Sequence, residues 1–169
     1  MKRTLLSMFL MFGISAVLFA LDARPCVAMG CPSYFDVDPG NANQLLADKL
    51  EAQSLKKRAV AVLKAGDEVE ASRLWTEAAA KHPETLVKAS YLWNAACCLV
   101  ANKDQNNDWR IDPKRASQVA NSSRALTLLD EAKAQAEAES PYCSGINRQD
   151  LLRLISLVRT WVERYAVTD

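Results

Sequence analysis

The sequence holds one histidine, His82, and only five glycines in 169 residues. That scarcity narrows the chemistry at once. No Cys–His or Ser–His pair stands in a supporting context, no glycine-rich stretch can cradle a phosphate, and no His/Cys cluster has metal-ligand spacing. His82 sits beside Pro83 at an expected helix end, where a cation facing the helix dipole accounts for it. Carboxylates are plentiful, but no spacing singles out a catalytic pair, so the chain reads as a non-enzyme without a cofactor. A surplus of one charge is missing too, since 21 basic residues face 20 acidic ones. Nothing therefore draws nucleic acid by long-range attraction, and Lys56, Lys57 and Arg58 read as a solvated helix face. No segment alternates apolar and polar residues long enough to argue for a strand, which leaves an all-α class.

What is present begins with a leader. Lys2 and Arg3 precede an almost unbroken apolar run, Leu5–Leu21, ended by Asp22, Arg24 and Pro25. A charged head, an apolar core and small residues beyond it predict a secretory signal peptide over 1–28, cut after Ala20, Ala23 or Ala28. Two alternatives stay open: an uncleaved membrane anchor, because the run is barely long enough to span a bilayer, and acylation of Cys31 after Ala28-Met29-Gly30. The expected location is periplasmic or secreted. Loss of residues 1–28 removes Lys2, Arg3, Arg24 and Asp22 and leaves 18 basic and 19 acidic residues, so the balance stays near neutral.

The remainder, about 140 residues, is enough for one domain with its own core. Residues 29–41, with Pro32, Pro39 and Gly40, read as an irregular arm, and 42–169 as a helical domain of about five helices. The first runs from about Ala42 to Leu63 with Leu45, Leu46, Leu50, Leu55, Ala59, Val62 and Leu63. The second is Asp67–Lys81 and the third about Glu84–Ala101. A fourth starts at the cap Asp112 and Pro113 and runs to about Glu139. The fifth starts near Asn147 and carries Leu151, Leu154, Ile155, Val158, Trp161, Val162 and Tyr165 on an amphipathic stripe.

Within this array, Leu55–Pro83 forms one complete unit. Ala59 and Val62 lie on a first helix and Gly66–Asp67 make the turn. Ala71, Trp75 and Ala78 share one stripe of a second helix, and Pro83 closes it. Small residues let the axes approach, Trp75 anchors the next layer, and Gly66 suits a left-handed C-terminal turn. This unit resembles a tetratricopeptide repeat, about 34 residues long. Repeat one spans about 52–85. A second copy at about 88–139 repeats the steps at Ala96 and Leu99, then at Ala125, Leu129 and Ala132. There the tight turn is replaced by the insertion Asn102–Asp112, and no proline follows Ala132. Two repeats need covers, which the last helix (about 147–166) and the first half of helix one are expected to supply.

The resemblance implies a protein or peptide partner along the first helices of the repeats. Carried over, that groove comprises Gln53, Lys56, Val60, Ser90, Trp93 and Asn94, with Cys97 beside them. Lys56 and Asn94 match two members of the family's clamp for a C-terminal carboxylate, whereas Val60 stands where the clamp has asparagine. The insertion is a candidate contact loop through Asp104, Asn106, Asp108 and Trp109. Its alternating oxygens, Asp104, Asn106, Asp108 and then Asp112, also resemble the first part of a calcium loop. Trp109 and Arg115 occupy the positions where such a loop has its glycine and its closing glutamate.

If Cys26 leaves with the leader, four cysteines remain: Cys31, Cys97, Cys98 and Cys143. An even count in an oxidising compartment suits disulfides. Cys97 and Cys98 point about 100° apart on a helix, so each needs its own partner on a flank. The alternative is a small buried thiol at a helix crossing. The expected function is an exported interaction module for an envelope or secreted protein. Kept beside it are a disulfide-stabilised inhibitor or immunity protein of a secreted enzyme, and a calcium-responsive domain.

Overall fold

A computed structural model describes residues 39–103, 108–138 and 146–166, with side chains from residue 42 onward. The described residues are all-α apart from one short hairpin. Six helices and two strands occur among the described residues: α1 (Pro39–Lys64), α2 (Glu68–Lys81), α3 (Thr85–Val100), β1 (Ala101–Lys103), β2 (Trp109–Ile111), α4 (Pro113–Ala116), α5 (Val119–Ala138) and α6 (Arg148–Ala166). α1 packs on α2, α2 on α3, α3 on α5 and α5 on α6, so consecutive long helices form a helical-hairpin array.

Local chemistry sets each turn. At the end of α1, Gly66 takes φ +86°, the Gly66 N–H donates to Leu63 O and the Asp67 N–H to Val62 O. These two bonds form a Schellman turn, which satisfies carbonyls the helix end leaves open. Asp67 then caps α2, its carboxylate accepting from the Glu70 N–H at 3.0 Å. Glu68 and Glu70 face the positive end of the α2 dipole. At its other end the His82 N–H donates to Ala78 O before Pro83 stops the helix. Across this corner Lys49 pairs with Glu84 at 2.9 Å and Lys81 with Glu51 at 3.2 Å.

The core follows the stripes. Ala52, Leu55 and Ala59 of α1 are buried, as are Ala71, Leu74, Trp75 and Ala78 of α2. Ala89 and Ala96 of α3 and Ala125, Leu129 and Ala132 of α5 are buried, and these two helices pack on each other. Leu151, Ile155, Val158 and Val162 hold α6 down. Fully burying a leucine is worth roughly 1.5–3 kcal/mol, and the alanines permit the close approach that makes such burial complete.

Three expectations are corrected. The first half of α1 is not a cover: Leu46 and Leu50 are 57% and 58% exposed, and Leu45 is exposed as well. The segment after Asp112 is two helices, not one. Arg115 is drawn to Glu68 of α2 and donates to Ala101 O, while Ser117 Oγ bonds back to Lys114 O. The first turn packs against α3, α5 and α6, and α5 starts afresh after Gln118, whose carbonyl accepts from the Ser122 N–H. Finally, the insertion contains strand. β1 and β2 pair antiparallel, Ala101 with Ile111, Asn102 with Arg110 and Lys103 with Trp109. Three-residue strands fall below the length at which alternation can be read.

Candidate functional site: a hairpin-walled groove

The hairpin is anchored at its base and along one wall. The Asp112 N–H donates to Val100 O at 2.9 Å, and Asn102 Nδ2 donates to Asp112 Oδ2 at 2.9 Å. Trp109 Nε1 donates to Asn94 Oδ1 at 3.3 Å, which fastens β2 to α3. Asn94 Nδ2 in turn donates to Ser90 O at 2.8 Å, so both ends of this amide are engaged within the protein.

That arrangement separates the expected groove residues. Lys56 stands over the Tyr91 ring at 5.8 Å, while Gln53 is exposed. Ser90 Oγ donates back to Val87 O. Trp93 is half-buried, and its indole N–H is buried without a hydrogen-bond partner among the described residues. Val60 lines a different cavity, of about 380 Å³, with Leu63, Lys64, Glu68, Lys103 and Arg115. The Ser90 bond uses one of the two Asn94 Nδ2 hydrogens, and Trp109 engages only the acceptor oxygen.

On the other side of the hairpin lies a larger groove, about 420 Å³. Its floor is Cys97 and Val158, and one wall is Trp109, Arg110 and Ile111 of β2. The opposite wall is Leu157, Trp161 and Tyr165 of α6. Ala101 borders both cavities, so the hairpin base divides them. Trp161 and Tyr165 stack at 6.1 Å with 17° between their planes. Cations stand over both tryptophans: Lys103 is 5.0 Å from the Trp109 ring, and Arg164 is 5.7 Å from that of Trp161. A site of this volume, at the small end for ligand pockets, holds one or two side chains.

Trp109 was expected as a contact residue, but Arg110, Leu157, Trp161, Tyr165 and Arg164 were not. The available signal was the width of the α6 stripe. Leu151, Ile155, Val158 and Val162 suffice to pack one neighbour, yet Leu154, Leu157 and Trp161 widen the apolar face and remain 40%, 54% and 38% exposed.

Among the described residues, the two thiols and the histidine are buried. Burial pushes the Cys97 thiol well up, with its neighbour Cys98 adding to the effect, and pushes Cys98 to about 12. Both are buried free thiols, protonated near neutrality and hence poor nucleophiles. Cys31 and Cys143, their candidate disulfide partners, lie outside the described residues. His82 is corrected from a dipole-facing cation to a neutral acceptor. Its Nδ1 accepts from the Glu84 N–H at 3.1 Å, its ring meets the Tyr91 ring edge-on at 5.6 Å, and burial lowers its pKa.

Of the candidate calcium ligands, Asp104 and Asn106 lie outside the described residues and Asp108 is exposed. Asp112 uses one oxygen to cap α4 through the Lys114 N–H and the other to accept from Asn102. Among the described residues no group of three or more His, Cys, Asp or Glu side chains is placed to hold a metal ion, and no helix is long and apolar enough to cross a membrane. No protein-family model, curated protein or solved structure matches this chain.

Proposed function

We propose that the chain is an exported, non-enzymatic adaptor of tetratricopeptide-like build that binds a segment of an envelope or secreted protein. The observation that carries this reading is the groove between β2 and α6, whose aromatic wall continues into the exposed side chains of Leu157 and Trp161. Aromatic anchors beside arginine are the composition of energetic centres in interfaces. The leader, Lys2 and Arg3 followed by Leu5–Leu21, supports export and thus the partner's compartment. The binding surface of this reading lies on the α6 side of the hairpin, not on Lys56 and Asn94.

Photo-cross-linking from two equally exposed apolar positions tests it. Leu157 is 54% exposed beside the groove, and Val69 is 58% exposed on α2, away from it. With a photoreactive residue at each position in turn, and the chain produced with its leader, a discrete protein adduct is expected from position 157 only. Equal adducts from both positions, or none from 157, would refute the assignment of this surface. Fractionation of the same cells places the chain inside or outside the inner membrane, which tests export separately.

A further inference from the structure

We infer that the occupant of this groove is an extended segment that joins the hairpin as a third strand, pairing with the free edge of β2. The inference rests on the groove being the binding surface, and it adds the conformation and side-chain pattern of what binds.

The hydrogen-bond phase of the hairpin is the first observation. The Asp112 N–H donates to Val100 O, one step beyond the pair Ala101–Ile111. Antiparallel pairs alternate between bonded and non-bonded. With Val100–Asp112 bonded, Asn102–Arg110 is bonded too, and Ala101–Ile111 and Lys103–Trp109 are not. Arg110 therefore turns its backbone N–H and C=O toward β1, whereas Trp109 and Ile111 turn theirs outward. Among the described residues the sheet has two strands only, and no hydrogen bond reaches those four outward groups.

Where that edge points is the second observation. The groove of about 420 Å³ touches all three residues of β2 and only Ala101 of β1, whereas the cavity of about 380 Å³ touches all three of β1 and none of β2. Side chains alternate between the faces of a ribbon, so a cavity on one face would touch alternate residues of both strands. Contact with consecutive residues of a single strand places each cavity at an edge. The two edges differ. On β1 the Ala101 N–H donates to Cys97 O, and the Ala101 carbonyl accepts from Arg115 Nη1. The edge of β2 keeps N–H beside C=O, an alternation of partial charges that another extended backbone complements.

The opposite wall sets the length. Leu157, Trp161 and Tyr165 recur at four-residue steps of α6 and span roughly 12 Å at 1.5 Å per residue. About four extended residues cover that distance. Every second side chain of such a strand faces the floor at Cys97 and Val158, so the segment is apolar at alternate positions.

Amide exchange and binding on the full mature chain, followed by NMR, test this with three peptides: valine and threonine in strict alternation, the same residues scrambled, and the alternating peptide with every backbone amide N-methylated. In the free chain the Trp109 and Ile111 amides should exchange at least tenfold faster than that of Arg110. The alternating peptide should bind at least fivefold tighter than the scrambled one and slow exchange at Trp109 and Ile111 tenfold or more; the N-methylated peptide should not bind. Ile111→Pro removes one outward N–H and no ladder bond, and should cost at least tenfold in affinity, whereas Ile111→Val should stay within twofold. Circular dichroism confirms the fold, and the exchange readout on the parent chain decides the matter if the proline variant does not fold. Binding that leaves exchange at Trp109 and Ile111 unchanged, equal binding of alternating and scrambled peptides, or an Ile111→Pro chain that binds like the parent overturns the strand pairing. Failure of the alternating peptide to bind overturns it as well. In each case the groove reading stands if position 157 still yields its discrete adduct, and falls if it does not.

Discussion

Replacing Gly66 by alanine isolates the turn that makes Leu55–Pro83 a helical hairpin. Gly66 has φ +86°, and a Cβ built there meets nothing within 4 Å. Steric clash is thus removed from the problem, and the cost is conformational. Left-handed backbone costs an L-residue roughly 1–2 kcal/mol. Against this, alanine reduces the freedom of the unfolded chain, a gain of about 0.4–1 kcal/mol. The expected net loss is on the order of 1 kcal/mol, or about 3–5 °C in Tm for a domain of this size. Asparagine tolerates the left-handed region better than alanine, so Gly66→Asn should lose less. Urea titration of parent, Ala and Asn chains at 25 °C should show a shifted midpoint with an unchanged slope. If Ala matches the parent, or Asn loses as much as Ala, the Schellman turn is not what Gly66 supplies.

Three further outcomes are expected. Ser72 is fully buried, and its hydroxyl has no hydrogen-bond partner among the described residues. Ser72→Ala should therefore raise stability by about 1 kcal/mol, and a loss of that size in a melting curve would show an overlooked partner. His82 has a folded pKa below its unfolded value of about 6.5. The unfolded chain then binds more protons, so stability should fall as pH drops below about 6.5 and level off beneath the folded pKa. His82→Asn should flatten that pH profile, and an unchanged profile would acquit the histidine. In protein kept reduced, Cys97 and Cys98 should resist a thiol reagent at pH 8 until the chain is unfolded; rapid labelling of the native state would contradict their burial.

The helices were legible because their signals are local and repeated. Ala71, Leu74, Trp75 and Ala78 share a stripe, Asp67 and Asp112 are caps, and Gly66 and Pro83 are stops; the structure uses each in that role. The break at Ser117–Gln118 was not legible. Arg115, just before that break, pairs with Glu68, a contact between residues 47 positions apart that no window sees. The same holds for the site. Trp109 drew notice as an aromatic in an insertion, but its bond to Asn94 depends on a hairpin whose strands are three residues each. The sequence pattern also overestimated α1, since leucines at helical spacing show what can be buried and not what arrives to bury it.

On the proposed reading, the exposed edge of α6 calls for a segment and not a lone side chain. Leu154, Leu157 and Trp161 already hide about half of their surface or more. Covering the rest is worth on the order of 2–4 kcal/mol in total, taking full burial of a large apolar side chain as roughly 1.5–3 kcal/mol. Association itself costs an estimated 4–15 kcal/mol or more in lost freedom, and micromolar binding needs a net of about 8 kcal/mol. Apolar contact along this edge is therefore insufficient by itself. On the proposed reading a partner also fills the groove against Trp109 and Tyr165, a contribution that requires several residues in sequence.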